Sequence, residues 1–330
     1  MKAVIPEIRL DANEFPLSLP EAVMAEVIEA WKKLETNRYP DPGFHALRRE
    51  LAESFGLNEN EVTCGVGGDE LIENLMLAFT PENGTVIYPE PTFSSYPITS
   101  AALRRKVITL PLSAPFALPV EKLLELTGDL LFLVWPNNPT GVLYPEEEVV
   151  ALLRDWPGVS ILDESYWEFS GRSLLARRAE LPRTLFLRTF SKGLRLAGMR
   201  VGYVFGPAPL IAQLHRQKLY YNLPAPSIEA ARVVWRHREL IWRAIPEIRE
   251  RRDRFIARLN TLPGLLAYPS VTNFFLLRIA EAPAVHEKLA AAGVRVRRFH
   301  DRLAADHLRI SVGTEAEMET FLKTLQEVLP

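Results

Sequence analysis

Seven short runs that each lead into a polar, glycine-rich or proline-rich motif constrain this chain more than any other feature. They are residues 61–64, 85–88, 106–110, 130–134, 159–162, 184–188 and 200–204. Several, above all LLFLV at 130–134, are continuously apolar instead of alternating, the pattern of strands covered on both faces. Stretches of helical periodicity separate them. The expected fold is therefore α/β: a large domain in which a mostly parallel seven-stranded sheet lies between helices. Ligands of such sheets bind at the carboxyl ends of the strands, which is where the polar motifs fall.

The rest of the 330 residues leaves room for a second domain. From residue 226 a helical pattern runs to about residue 260, with Pro246 expected to kink or break it. Strands at 272–277, 294–298 and 307–313, a helix at 284–292 and a capping box from Thr314 to Glu317 then describe a smaller α+β domain. We expect residues 36–225 to form the large domain and 226–330 the linking helix and small domain. Residues 1–35 are expected to be an arm and helix that join the small domain, the helix presenting Ala22, Val23, Ala25, Val27, Ile28 and Trp31 as its apolar face.

Charge and cysteine content narrow the partners. Lysine and arginine number 39 against 41 acidic residues, a formal net charge of −2 mixed along the chain, which speaks against nucleic acid or an acidic membrane. The single cysteine, Cys64, excludes an intrachain disulfide and a cysteine-cluster metal site. No stretch approaches the roughly 18 uncharged residues of a membrane span, and the N-terminus does not read as a signal peptide, so a cytoplasmic protein is expected.

The chemistry concentrates between Thr189 and Tyr203, TFSKGLRLAGMRVGY. Lys192 follows the apolar run 185–187, so its amine emerges at a strand end, where an aldehyde-reactive lysine would sit. Arg200 returns a fixed cation, and with Thr189 and Ser191 it suits a phosphate monoester. Lysine and phosphate site together point to pyridoxal 5′-phosphate. Taken alone, a Ser-Lys pair is an ordinary loop feature; the other motifs change that reading. Glycines at 65, 67 and 68 precede a helix, so the backbone N–H groups of Gly68 and Asp69 can converge on an anion. The spacing is neither a dinucleotide fingerprint nor a Walker loop.

Three further strand ends carry candidates. Asn138, in WPNNPTG, can donate to a phenolate oxygen or hold a rigid turn. Asp163 ends a buried run, with Tyr166 three residues later; a carboxylate there calls for a cation such as a protonated pyridine nitrogen. Phe93 can offer a flat face to a planar ring or pack in the core. Tyr39, in NRYPDPG, reads by itself as a packed loop tyrosine, and Arg309 as a surface residue of an alternating strand.

Taken together, PNNPTG, the D-E-x-Y after a strand, and SK(x)7R with AGMRVGY resemble fold-type I pyridoxal-phosphate enzymes of the class I and II aminotransferase group. LDANEFP, NRYPDPG and VGGDE are most similar to its histidinol-phosphate branch. The resemblance implies that Lys192 binds the cofactor covalently and then shuttles protons, that Asp163 pairs with the ring nitrogen, and that Tyr166 and Asn138 contact the phenolic oxygen. It implies Phe93 stacked on the ring and Gly68, Asp69, Thr189, Ser191 and Arg200 around the phosphate. Tyr39 would reach the cofactor of a neighbouring subunit, making a homodimer with shared sites. Arg309 would bind the acidic group of the substrate, helped by Arg297 and flanked by Asn13 and Phe15. The implied reaction moves an amino group from L-histidinol phosphate to 2-oxoglutarate. Phe15 and Phe93, where tyrosines are commoner, and the bulky Trp135 keep an aromatic amino-acid aminotransferase open. A decarboxylase of an O-phosphorylated amino acid would reuse the same cup. A cofactor-binding regulator is disfavoured, because only a short arm precedes Tyr39 and there is no basic footprint.

Overall fold

The computed structural model describes residues 7–299, 303 and 305–329. Its strands are β1 (Ile8–Leu10), β2 (Val62–Val66), β3 (Thr85–Glu90), β4 (Lys106–Pro111), β5 (Leu130–Val134), β6 (Val159–Asp163), β7 (Thr184–Thr189), β8 (Val201–Phe205), β9 (Leu265–Ala267), β10 (Phe274–Ile279), β11 (Val294–Arg298) and β12 (His307–Ser311). Seven of them form one sheet in the order β2-β8-β7-β6-β5-β3-β4.

From β4 across to β7 every neighbouring pair is parallel, whereas β8 is antiparallel to both β7 and β2. The reason lies in the connection. A parallel return needs a crossover of roughly a dozen residues or more, usually helical, and the chain from 190 to 200 is a short loop. The chain therefore turns back, and the start of β8 meets the end of β7. Strands β5, β7 and β8 are buried along their whole length, as continuous apolar runs require. β4, at the sheet edge, leaves Val107 and Ile108 exposed. Apolar layers cover the two faces. One contains Trp135, Phe186, Tyr203 and Trp235; the other contains Leu71, Leu75, Tyr88, Tyr96 and Phe132.

The second sheet has the order β1-β11-β12-β10-β9, antiparallel except for the β1–β11 pair. Its core joins Phe274, Leu277, Val296 and Ile310 to the helices Ile245–Leu259, Ala282–Ala291 and Glu315–Val328. The final helix opens on the expected capping box: Thr314 N donates to Glu317 Oε2 at 2.6 Å, and Glu317 N to Thr314 Oγ1 at 3.3 Å.

Two expectations need correction. The described part of the expected arm and helix, residues 7–35, is not one unit: β1 joins the small sheet, while the helix Glu21–Lys32 places Val23 and Val27 in the large-sheet core. Only those two residues of its expected apolar face are buried; Ala22, Ala25 and Ile28 are exposed. The long helix from 226 is three helices, Ala225–Arg236, Arg238–Trp242 and Ile245–Leu259, and Pro246 starts the third. Proline lacks an N–H that the first turn would leave unpaired in any case, so it suits a helix start better than an interior kink. Among the described residues no helix is long and apolar enough to cross a membrane, and no cluster of His, Cys, Asp or Glu is arranged to hold a metal ion.

Candidate active site

The carboxyl ends of the parallel strands open into a cavity whose lining includes Gly68, Asp69, Phe93, Asn138, Asp163, Tyr166, Thr189, Ser191, Lys192 and Arg200. They reach it from the ends of β6 and β7, from the loops that follow β3, β5, β6 and β7, and from the start of the helix Gly67–Phe79. β7 ends at Thr189, whose Oγ1 accepts from Ser191 N at 3.0 Å and turns the chain out of the sheet. Lys192 follows, half-buried, with Nζ donating to Ala12 O at 2.8 Å. Burial, followed by the Arg309 and Arg200 cations working against Glu14 and Asp69, pushes its amine down to about 8. Part of the amine is thus neutral, and nucleophilic, near physiological pH, far more than for an ordinary lysine.

Arg200 precedes β8 instead of opening it. Its backbone is left-handed, with φ 54°, and that bend aims the guanidinium at the start of the helix Gly67–Phe79. Nη2 donates to Asp69 Oδ2 at 3.1 Å, and Nη1 to Ala197 O at 3.2 Å and Ser191 Oγ at 3.5 Å. Gly67 has φ 72°, and a Cβ there would lie 2.4 Å from Arg200 Nη2; beside Gly68 nothing lies within 4 Å of such a carbon. The first glycine lets the cation approach the helix terminus, and the second leaves open space in front of the N–H groups. Helix terminus, guanidinium and hydroxyls together form an anion cup.

Asp163, 3% exposed, ends β6. Oδ2 accepts from Tyr96 OH at 2.8 Å, and Oδ1 from Ser165 N at 2.9 Å and Ser165 Oγ at 2.6 Å. Burial raises its pKa, against the pull of these three bonds. Tyr96 and Ser165 are neutral hydrogen-bond donors, not cations, and a cation arriving in the cavity would find a preformed counter-charge. Tyr166 OH accepts from Asn13 Nδ2 at 3.0 Å and from Asn138 Nδ2 at 3.2 Å, which leaves its own proton to donate. Phe93 lies edge-on to Tyr96 at 5.8 Å.

Arg309 overturns its reading as a surface residue: β12 is the central strand of its sheet and buried along its whole length. Nη1 donates to Asn138 Oδ1 and Nη2 to Asp11 O, both at 2.7 Å. Burial, with help from nearby Arg297, pushes its pKa down to about 10. Arg297 stands opposite it in the β11–β12 register, and the two line a recess with Phe93, Asn138, Thr92 and Ser94 that adjoins the lysine cavity. Of the neighbouring arginines, Arg295 pairs with Glu7, and Arg298 lies 3.8 Å from Glu287.

Two expected residues lie apart from the cavity. Tyr39 is 77% exposed and stacks on Tyr221 at 4.3 Å. Phe15 packs between Phe169 at 6.1 Å and the Arg195 guanidinium at 4.2 Å. Sequence reasoning gave no role to Tyr96, Ser165 or the carbonyls of Asp11 and Ala12. The first two lie within three residues of Phe93 and Asp163 in the sequence, but only the fold shows that they meet Asp163.

The chain is similar to known proteins in sequence and in fold. Residues 5–325 match the family described as aminotransferase class I and II. A histidinol-phosphate aminotransferase of Caldanaerobacter subterraneus subsp. tengcongensis is 34% identical over 326 residues, spanning 97% of this chain and 93% of that one. The enzyme of the same name from Thermococcus kodakarensis is 37% identical over 322 residues, spanning 97% and 92%. Among solved structures, the histidinol-phosphate aminotransferase of Sinorhizobium meliloti in complex with pyridoxal-5′-phosphate superposes with a TM-score of 0.91 at 25% identity, covering 98% of this chain and 90% of that one.

Proposed function

This chain belongs to the aminotransferase class I and II family, and within it we propose a pyridoxal-phosphate-dependent transaminase of histidine biosynthesis. Its amino donor is L-histidinol phosphate and its acceptor 2-oxoglutarate; the products are imidazole-acetol phosphate and L-glutamate. The observation that carries the reading is the meeting of two anion sites at one amine: the Arg200 cup on one side of Lys192 and the Arg297–Arg309 recess on the other.

The residues fit the cofactor. A buried carboxylate whose partners are neutral donors, open space in front of Gly68 and a lysine held partly neutral are three separate preparations for it. When bound, pyridoxal 5′-phosphate supplies an aldehyde and an electron-withdrawing ring. Gly68, Asp69, Thr189, Ser191 and Arg200 hold the phosphate. Asp163 keeps a negative charge opposite the ring nitrogen, Phe93 packs on the ring, and Tyr166 OH with Asn138 Nδ2 orients the phenolic oxygen. Lys192 would hold the aldehyde through Nζ, and as a free amine the same Nζ would take the proton from the substrate Cα and give it back to complete the transfer. Arg309 and Arg297 take the substrate phosphate when histidinol phosphate is bound, and a carboxylate when 2-oxoglutarate follows. Asn13 holds Tyr166 in place, and Phe15 packs the segment that carries Asn13. The exposed Tyr39 supports a cytoplasmic homodimer in which this residue completes the partner's phosphate cup.

Titration of the cofactor-loaded protein with L-histidinol phosphate, phenylalanine and glutamate tests the reading by absorption. Conversion of the lysine-bound cofactor band at low histidinol phosphate is expected. A response to phenylalanine alone would make it an aromatic transaminase, and no band after adding pyridoxal phosphate would remove the cofactor chemistry altogether.

A further inference from the structure

One buried acid has no part in the chemistry above. Glu168, in the short helix Trp167–Ser170, is 7% exposed, and neither carboxyl oxygen has a hydrogen bond of ordinary geometry. Its carbons touch the catalytic loop directly. A Cβ added to Gly193, the residue after Lys192, would lie 2.8 Å from Glu168 Cβ and Cδ and 2.9 Å from Cγ. Gly193 is thus glycine because the glutamate side chain occupies the place of its side chain.

Charge around Glu168 is short by one cation. From β7, Arg188 donates through Nε at 2.9 Å and Nη2 at 2.7 Å to Glu164 Oε2, so its charge is committed to that carboxylate. Glu164 also accepts from Leu174 N at 2.7 Å and Ser173 Oγ at 3.0 Å. From the helix Ile245–Leu259, Arg249 donates to the backbone carbonyls of Glu168 and Phe169, at the end of the short helix. The Tyr203 hydroxyl of β8 and the Trp167 indole are the remaining polar groups, neither with a hydrogen bond of ordinary geometry, and Lys192 lies on the loop itself. One guanidinium cannot neutralise two buried carboxylates, and an unpaired buried charge costs more than retaining a proton.

We propose that Glu168 is a positioning residue for Lys192: its side chain seats Gly193, and it is held as a neutral acid so that no second negative charge lies behind the reactive amine. The proposal rests on the reading of Lys192 as the aldehyde-capturing residue. Burial, with Glu164 adding and Arg188, the Glu168 backbone N–H and the Trp167 indole opposing, pushes the Glu168 carboxyl up to about 8, in keeping with a retained proton. The helix Trp167–Ser170 then acts as a fixed anvil behind the loop, and a glutamine, which has the shape of the neutral acid, can replace the glutamate.

Stopped-flow capture of pyridoxal phosphate by the apoprotein, read by absorbance from about pH 6 to about pH 10, tests this without turnover. Glu168→Gln is expected to match the wild type below about pH 8. Above it the wild type should slow relative to the glutamine variant, as ionised Glu168 raises the basicity of Lys192. Glu168→Ala, or Glu168→Asp if the alanine variant does not fold, should capture roughly ten- to a hundred-fold more slowly at every pH, the scale of a misplaced reacting group. Glutamine as slow as alanine at neutral pH would mean that the charged form is required and would overturn the proposal, as would alanine and aspartate variants that both capture at the wild-type rate. A wild-type protein that captures no aldehyde would instead bring down the reading of Lys192 itself, and this proposal with it.

Discussion

Arg309 Nη1 donates to Asn138 Oδ1 at 2.7 Å, a bond between the central strand of the small sheet and the loop after β5 in the large one. Asn138 uses its other end, Nδ2, to reach Tyr166 OH at 3.2 Å. In the proposed roles, substrate recognition and cofactor orientation therefore share one side chain. A substrate anion that draws Arg309 toward itself acts on a residue already engaged with the cofactor cavity.

Arg309→Lys replaces a planar fork with a point charge that cannot serve Asn138, Asp11 and a substrate anion together. The expected result is a KM for histidinol phosphate at least roughly tenfold higher, the loss of about 1.4 kcal/mol of binding. Cofactor affinity should stay near wild type. Steady-state kinetics beside a cofactor titration check this, and equal losses of both would place Arg309 in the cofactor cup.

Lys192 reacts as the neutral amine, and burial with the Arg309 and Arg200 cations places its pKa near 8. The rate of aldehyde capture should rise about tenfold per pH unit below that value and level off above it. In Arg309→Ala one of those cations is gone, the protonated amine is less disfavoured, and the plateau should move to higher pH. A plateau that stays put or moves down would contradict the assigned coupling. Lys192→Ala should show no capture and no turnover at any pH.

Tyr96→Phe removes one of the three bonds that hold Asp163 ionised, leaving those from Ser165 N and Oγ. Asp163 should then protonate more readily. A hydrogen bond to a charged group contributes roughly 1.5–3 kcal/mol, so kcat should fall about ten- to a hundred-fold and recover in part as pH rises. A pH-rate profile of the variant settles the matter; an unchanged kcat would show that Ser165 alone suffices.

Gly67→Ala and Gly68→Ala should separate. The first forces a side chain into the left-handed region and against Arg200, at a cost of roughly 1–3 kcal/mol. It should lower both thermal stability and phosphate affinity. Gly68→Ala meets no atom within 4 Å, so stability should change by no more than about 0.5 kcal/mol. Only affinity for the phosphate should drop, as a methyl group enters the cup. Melting curves with and without cofactor distinguish the two.

The parts of this site that follow a strand in sequence were legible from sequence, because strand ends are fixed by local apolar runs. Lys192, Asp163 and Asn138 are of this kind. Contacts between distant segments were not: Tyr96 meets Asp163 across 67 residues, and Asn13 meets Tyr166 across 153. Taken alone, Arg309 suggested a surface position because alternation implies one wet face, whereas both faces of β12 are covered. At Pro246 the sequence left a kink and a break both open, because a helical pattern interrupted by proline looks the same in either case; the structure has the break, with Pro246 in the first turn of a new helix. The exposure of Ala22, Ala25 and Ile28 has a similar origin, since periodicity shows that a helix has an apolar side but not how much of it the fold will cover.

The antiparallel return of β8 bears on which insertions and deletions the chain can accept. Most surface loops tolerate added residues at little entropic cost. The segment from 190 to 200 is tied along its length: Phe190 N to Val201 O, Leu196 N to Phe190 O, Arg195 N to Lys192 O, and the Arg195 side chain to Ser18 O and Ile241 O. Its length is therefore a measured spacer between an amine and a cation. A single residue gained or lost here would move Lys192 and Arg200 relative to each other and separate the two halves of the site.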